Sequence, residues 1–341
     1  MTRLLVFICV FCVTRCYYVG DASLSGDTDI LLTFLHTSDI HSRLFPYRMQ
    51  PLAADRNLGL LAANAPFGGG SRLAYLIKRE RARADRVLHL DSGDCFQGVP
   101  IFNTRLGEAE VRFLSEVGLD GAVIGNHEFD AGLPNLVTQM ERWKKFDLLA
   151  ANYVFPDPND VTGHTLGRIS RPYAIYNVRG LRIAVIGMGN LGSLTSIGEG
   201  GNSLRMTPME QNETLRAYVN ILHDSVDLIV VLSHLGLTED EDLIRGYETV
   251  VWKDRLPKGW TITEDLGDGR VMAFVPGVQN IDIILGGHLH TVLNPPKMLQ
   301  DRDGRTVILS HSGAFAKDLG RLDVVLKKDS DLHGFKVESH K

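Results

Sequence analysis

The sequence predicts an α/β protein in which strands end in short polar loops and then pass into helices. Two observations carry that prediction. Compact apolar runs such as Ile30–Leu35, Val87–Leu90 and Leu228–Leu232 have strand length. Five strand-like runs are followed by blocks rich in metal-binding side chains: TSDIH (Thr37 to His41), GDCFQG (Gly93 to Gly98), GNHEFD (Gly125 to Asp130), SHLG (Ser233 to Gly236) and GGHLH (Gly286 to His290). In open α/β sheets, sites form where loops leave the carboxyl ends of strands, so one rim can gather all five blocks.

Taken in order, Ile30–Leu35 is a strand running into TSDIH, and 46–70 is loop-like. Ser71–Ala84 reads as a helix, with Leu73, Leu76 and Ile77 on one face and Lys78, Arg79 and Arg81 on the other. Val87–Leu90 is the strand before Asp94. Glu108–Val117 is a helix, Gly121–Ile124 a strand, Leu133–Trp143 a helix and Asp147–Ala151 a strand. Tyr173–Val178 and Leu181–Ile186 flank Arg179-Gly180 as a hairpin. Thr207-Pro208-Met209-Glu210 supplies an N-cap, a proline at N1 and a glutamate at N3 for a helix reaching Ser225. Leu228–Leu232, Ile281–Leu285, Thr306–Leu309 and Arg321–Leu326 are further strands, and 329–341 holds a tail or a last strand at Phe335–Glu338.

The 341 residues allow one large domain or two ordinary ones. With 44% apolar and 23% charged residues the composition is that of a globular protein with a substantial core. A formal charge of -5 without a long basic run argues against a nucleic-acid polymer as partner. Arg3 followed by the apolar run Leu4–Val13 reads as a secretory leader over residues 1–22, because a spanning helix takes about 20 residues. That places the protein in the periplasm or outside the cell. A lipidated Cys16, giving membrane attachment, is the alternative. Cys9, Cys12 and Cys16 all lie in or beside the leader, so the body retains Cys95 alone and needs no disulfide framework.

The blocks offer Asp39, His41, Asp94, Asn126, His127, His234, His288 and His290. Asp39 and His41 are two residues apart, so their side chains can point the same way. One aspartate can bridge two cations through its two oxygens. Mixed carboxylate, amide and imidazole ligation suits zinc, manganese, iron or cobalt better than calcium. Two such ions roughly 3.5 to 4 Å apart clamp the attacking and leaving oxygens of an in-line displacement and make hydroxide available near neutral pH. His127 then takes a separate role, stabilising the transition state or protonating the leaving group, with Asp130 as its orienter. Scattered histidines (His36, His89, His164, His223 and His311) read as structural, Asp91 as a brace for the Asp94 loop, and Cys95 as a packed loop residue.

The order D-x-H, GD-x-x-x-G, GNHE, H, GH-x-H resembles the calcineurin-like metallophosphoesterases. The strings LTFLHTSDIH, GNHEFD and IDIILGGHLHT resemble, more narrowly, the catalytic domain of the secreted 5'-nucleotidase family over about residues 30 to 328. The resemblance implies two mixed sheets packed together with helices outside, a four-layer αββα sandwich. It implies two divalent metal ions, one held by Asp39, His41, Asp94 and His290. The other would be held by Asp94, Asn126, His234 and His288, with Asp94 bridging. His127 and Asp130 match the family's catalytic pair. His290 departs from the amide side chain many secreted members carry there.

The activity implied is hydrolysis of phosphate esters, 5'-nucleotides foremost, by a metal-bridging hydroxide, in a monomer or weak oligomer acting on a small molecule. A cyclic-nucleotide phosphodiesterase, a sulfur-ester hydrolase and a non-catalytic metal-bound binding protein are the alternatives. The family's second, base-clamping domain would follow residue 328. Within 245–279, where the family pattern suggests a short helix, stand Trp252, Lys253, Arg255, Lys258 and Trp260. One reading hangs this insertion over the metals, with Trp252 and Trp260 touching substrate beside Asn126. The other makes it a surface hairpin packed on the body. Arg43 reads either as a phosphate contact or as half of an exposed salt bridge.

Overall fold

Two mixed β-sheets lie face to face in the computed structural model, which describes residues 29–154, 159, 161–190, 206–328 and 335–340. The leader at 1–22 lies outside the described residues, as do 191–205 and 329–334. The first sheet has seven strands in the order Phe335–His340, Gly320–Lys328, Ile30–Thr37, Val87–Asp91, Gly121–Val123, Asp147–Leu149 and Ser170–Arg171. From Ile30–Thr37 onward its strands run parallel, while Gly320–Lys328 and Phe335–His340 are antiparallel. The second has six, in the order Lys297–Gln300, Thr306–His311, Ile283–Gly286, Leu228–Ser233, Leu181–Met188 and Tyr173–Val178, antiparallel only at its two edges.

Parallel strands must be apolar on both faces, because sheets of this kind are covered on both sides. Leu228–Ser233 is buried at every position. Leu32, Phe34, Leu88, Leu90 and Val123 from the first sheet meet Ile183, Val185, Val230, Leu232 and Ile283 from the second in the inter-sheet core. Leu35 and Leu148 instead face the helices Gly70–Arg83, Glu108–Glu116 and Leu133–Trp143. Ala184, Ile186, Val231 and Ile284 face the helices Gln211–Leu222 and Leu237–Arg245. The result is the expected αββα order. Each fully buried Leu, Ile, Val or Phe contributes roughly 1.5–3 kcal/mol.

Several elements differ from expectation. The loop at 46–70 contains a short helix, Ala53–Asn57, and a 3₁₀ turn, Ala62–Asn64. The helices Pro100–Arg105 and Val161–Ile169 and the edge strand Lys297–Gln300 were not foreseen. Thr207 is not a helix cap. It pairs in a two-residue strand with Tyr153–Val154, and the helix starts at Gln211, where the Glu210 carboxylate accepts from the amides of Asn212 (3.0 Å) and Glu213 (2.6 Å). A carboxylate at the positive end of a helix takes two unpaired N–H groups and outcompetes the threonine hydroxyl.

The 245–279 segment is neither a short helix nor a plain hairpin. It is a three-stranded antiparallel sheet of Gly246–Trp252, Arg270–Pro276 and Thr261–Asp265.

Candidate metal centre

Every block leaves the carboxyl end of a parallel strand. Asp39 and His41 follow Ile30–Thr37, Asp94 follows Val87–Asp91, and Asn126 and His127 follow Gly121–Val123. His234 follows Leu228–Ser233, while His288 and His290 follow Ile283–Gly286. The turns are tight enough to put Asp39, His41, Asp94, His288 and His290 in the left-handed region, with φ between 49° and 76°. That conformation costs an L-residue about 1 kcal/mol or more. Loop-to-loop bonds hold the turns: Asp39 N–H to the Gly93 carbonyl (2.9 Å), His41 N–H to that of Asp94 (3.0 Å) and Phe315 N–H to that of Asp39 (2.7 Å).

The side chains converge as two groups. Asp39, His41 and His290 place one donor atom each within 4.8 Å of one another, and Asp94, His234 and His288 do the same. In the first group the Nε2 atoms of His41 and His290 face each other at 2.9 Å, with Asp39 Oδ1 at 3.9 and 3.5 Å. In the second, His234 Nε2 stands 3.0 Å from Asp94 Oδ2. His288 donates its backbone N–H to Asp39 Oδ2 (3.1 Å), and His127 donates its own to Asp94 Oδ1 (2.8 Å). Each group therefore draws on both sheets.

The donor set fits divalent metal ions. Asp39 Oδ1 and Asn126 Oδ1 are buried without a hydrogen-bond partner among the described residues. Such atoms are costly unless something coordinates them. His234 Nδ1 donates to the Ser92 carbonyl at 2.5 Å, which fixes the tautomer and leaves Nε2 free as a ligand. Burial alone would lower His234, yet the carboxylates of Asp94, Asp39 and Glu128 push it up. Burial works against the Asp94 anion too, but the surrounding histidines outweigh it and hold that carboxyl low. Asp39 is raised by burial. Burial lowers His41, His288 and His290, the direction that favours an imidazole nitrogen able to ligate a cation.

His127 is set apart from these groups. Its Nδ1 pairs with Asp130 Oδ2 at 2.8 Å, and its ring lies 5.1 Å from that of His41. Its side chain is 27% exposed, between His234 at 0% and His290 at 39%. Burial opposes its charge, but Asp130 and Asp94 more than compensate and its pKa is raised.

Two residues of this architecture carried no prediction. Glu128, buried within GNHEFD, accepts four backbone N–H groups: Asp94 (2.9 Å) and Gly125 (2.7 Å) at Oε2, Cys95 (2.8 Å) and Phe96 (3.3 Å) at Oε1. It binds the Asp94 loop to the Asn126 loop. Ser92 joins the two sheets at the rim, its hydroxyl donating to the Leu285 carbonyl (3.0 Å) and its own carbonyl accepting from His234. Asp91 braces its loop through Thr37 (2.5 Å) and the Gly93 amide (3.0 Å).

The expected substrate contacts, Arg43, Trp252 and Trp260, have the following surroundings. Arg43 makes no ion pair among the described residues; it stacks over Tyr47 at 4.5 Å and faces Phe315 at 5.8 Å. Trp260 donates to Glu213 on the helix Gln211–Leu222 (3.0 Å). Trp252 is half exposed at the end of its strand. Trp252 ends the strand Gly246–Trp252, and Trp260 immediately precedes the strand Thr261–Asp265.

Two mixed sheets with helices outside, and two carboxylate–imidazole groups on one rim, define a metallophosphoesterase-like domain. Residues 32–292 match the family model described as calcineurin-like phosphoesterase, and the chain belongs to that family. It is 29% identical over 311 residues to a snake venom 5'-nucleotidase of Crotalus adamanteus, covering 86% of this chain and 45% of that protein. It is 27% identical over 307 residues to the 5'-nucleotidase of Mus musculus, covering 86% and 46%. Among solved structures, a 5'-nucleotidase precursor from Thermus thermophilus superposes with a TM-score of 0.70 at 26% identity, over 92% of this chain and 54% of that one. The chain thus spans about half the length of these relatives.

Proposed function

We propose that this protein hydrolyses phosphate monoesters, 5'-nucleotides among them, at a centre of two divalent metal ions. The observation that carries this reading is the His127–Asp130 pair at 2.8 Å, set beside two ligand groups. Asp39, His41 and His290 would hold one ion, His234, His288 and Asn126 the other, and Asp94 would bridge. Bound metals supply Lewis-acid charge and lower the pKa of water. The chain does the rest. Asn126, with its unpartnered Oδ1 turned inward, holds one side of the cluster. Asp130 keeps the Nδ1 proton of His127 engaged, so Nε2 is the atom that gives a proton to the departing alkoxide. A binding module would have no use for that pair.

The nucleotide preference is supported by the 5'-nucleotidases the chain resembles. An exported location is supported by the apolar run Leu4–Val13 after Arg3.

The test is elemental analysis of purified protein together with phosphate release from monoesters, diesters and nucleotides, for wild type and His127→Ala. General acid–base catalysis contributes typically 10²–10⁴-fold, so the variant should lose about that much rate while keeping its metals. Equal rates would overturn the role of His127. Metal-loaded protein that releases phosphate from no ester would point to a binding protein.

A further inference from the structure

Beside the metal cluster lies a cavity of about 470 Å³ that the reaction as described leaves unused. Its walls are Arg43, Phe45, Tyr47, Pro100, Ile101 and Thr104. It is built from the continuations of two ligand loops, since Arg43 to Tyr47 follow His41 and Pro100 to Thr104 follow Asp94. The loops are pressed together at the metal end: a Cβ on Gly98, which has φ +121°, would lie 2.8 Å from the His41 carbonyl oxygen. One ring links the cavity wall at Arg43 to the cluster. Phe315 packs edge-on to His290 at 4.8 Å and tilts toward His41 at 5.5 Å, and Arg43 faces its ring.

Two of the walls, Phe45 and Tyr47, are aromatic. Tyr47 is pinned by its hydroxyl to the Phe315 carbonyl (3.0 Å) and by paired backbone bonds with Phe67 (3.0 and 2.8 Å). The Arg43 guanidinium carbon lies over the Tyr47 ring at 4.5 Å, and its Nε is buried without a hydrogen-bond partner among the described residues. Phe45 stands on the lip, 68% exposed. Pockets of 300–1,000 Å³, mostly apolar with a few fixed polar groups, are the usual form of a small-molecule site. Flat rings stack on aromatic faces and on guanidinium planes, and an anion or ring acceptor suits an arginine without a carboxylate partner.

Resting on the hydrolase reading above, we propose that this cavity receives the aromatic part of a phosphate monoester's leaving group, the base of a departing nucleoside or the ring of an aryl alcohol. The catalytic domain then selects aromatic over aliphatic esters with its own residues. Phe45 and Ile101 grip the ring from the lip, the Arg43–Tyr47 stack forms the floor, and the phosphate end reaches past Phe315 to the metal ligands.

Two measurements on the full chain test this. The first compares kcat/KM for 1-naphthyl phosphate and AMP with that for glycerol 2-phosphate in wild type, Phe45→Ala and Ile101→Ser. Stacking of a base on an aromatic side chain is worth about 1–3 kcal/mol, so the aromatic-to-aliphatic ratio should fall about fivefold or more, through KM. An unchanged ratio overturns the proposal.

The second is calorimetric titration of 1-naphthyl phosphate with chelator present, so that no turnover occurs. Wild type should bind, and Phe45→Ala about fivefold more weakly. Absence of binding by wild type, or equal binding by both, overturns the assignment. Binding that depends on Phe45, in a protein that releases phosphate from no ester, keeps the cavity assignment and removes the hydrolase reading.

Discussion

Replacing Glu128 with glutamine should unfasten the metal loops without changing the volume of the side chain. The carboxylate accepts four backbone N–H groups, two at each oxygen, and is buried at 2% exposure. Glutamine keeps one oxygen and turns an NH₂ toward the donors of the other. Two buried N–H groups then lose their acceptor and meet a donor instead. An unsatisfied buried donor costs about 1–3 kcal/mol, so Glu128→Gln should destabilise by about 4 kcal/mol. That is a large share of the roughly 5–15 kcal/mol that holds a domain folded.

Urea denaturation of wild type, Glu128→Gln and the exposed control Glu141→Gln measures it, with the control expected within about 0.5 kcal/mol of wild type. The released loops carry Asp94 and Asn126, so metal per chain should fall as well. A Glu128→Gln loss below about 1 kcal/mol with full metal content would refute the role given to this residue.

Two further perturbations follow from the same structure. His89 is fully buried with neither ring nitrogen hydrogen-bonded among the described residues, and burial, then the nearby Arg81, lowers its pKa to about 3. The folded chain therefore refuses a proton that the unfolded chain takes up below about 6.5, and stability falls as pH drops through that window. At pH 5 the deficit is about 2 kcal/mol. In chelator, His89→Leu should lose correspondingly less stability than wild type between pH 7 and pH 5, and equal losses would show that His89 does not stay neutral. Chelation alone should lower the urea midpoint: a ligand present at a hundredfold over its Kd stabilises by about 2.7 kcal/mol, and an unmoved midpoint would show that the clustered side chains hold no ion in solution.

The layers and the rim were legible because periodicity and ligand chemistry reinforce each other there. An apolar run such as Leu228 to Leu232 can only be a doubly covered strand, and His234 directly after it has few structural uses. What escaped was set by partners remote in sequence. Glu128 stands in plain view between His127 and Phe129, but nothing in the string tells which amides its carboxylate will face. Ser92 acts through its carbonyl as much as through its hydroxyl, and a backbone atom leaves no trace in residue identity.

The Thr207 cap failed because a stronger acceptor, Glu210, stood three residues on. In the 245–279 segment, Val271, Ala273 and Val275 alternate as a half-buried strand should. The surrounding glycines and prolines, with Trp252 and Trp260, drew attention to loops and contacts instead. Arg43 suggests a phosphate or a carboxylate partner in the sequence, whereas its neighbours in the fold are the rings of Tyr47 and Phe315.

The distribution of the ligands between the sheets bears on the birth of the protein. One group needs Asp39, His41 and His290, and the other needs Asp94, His234 and His288. During synthesis neither can close until the ribosome has passed residue 288, well after Asp39 and Asp94 have emerged. A nascent chain that has already folded its first parallel strands still presents only half of each cage. Any tight capture of metal would then wait until both halves have met along the seam at Ser92.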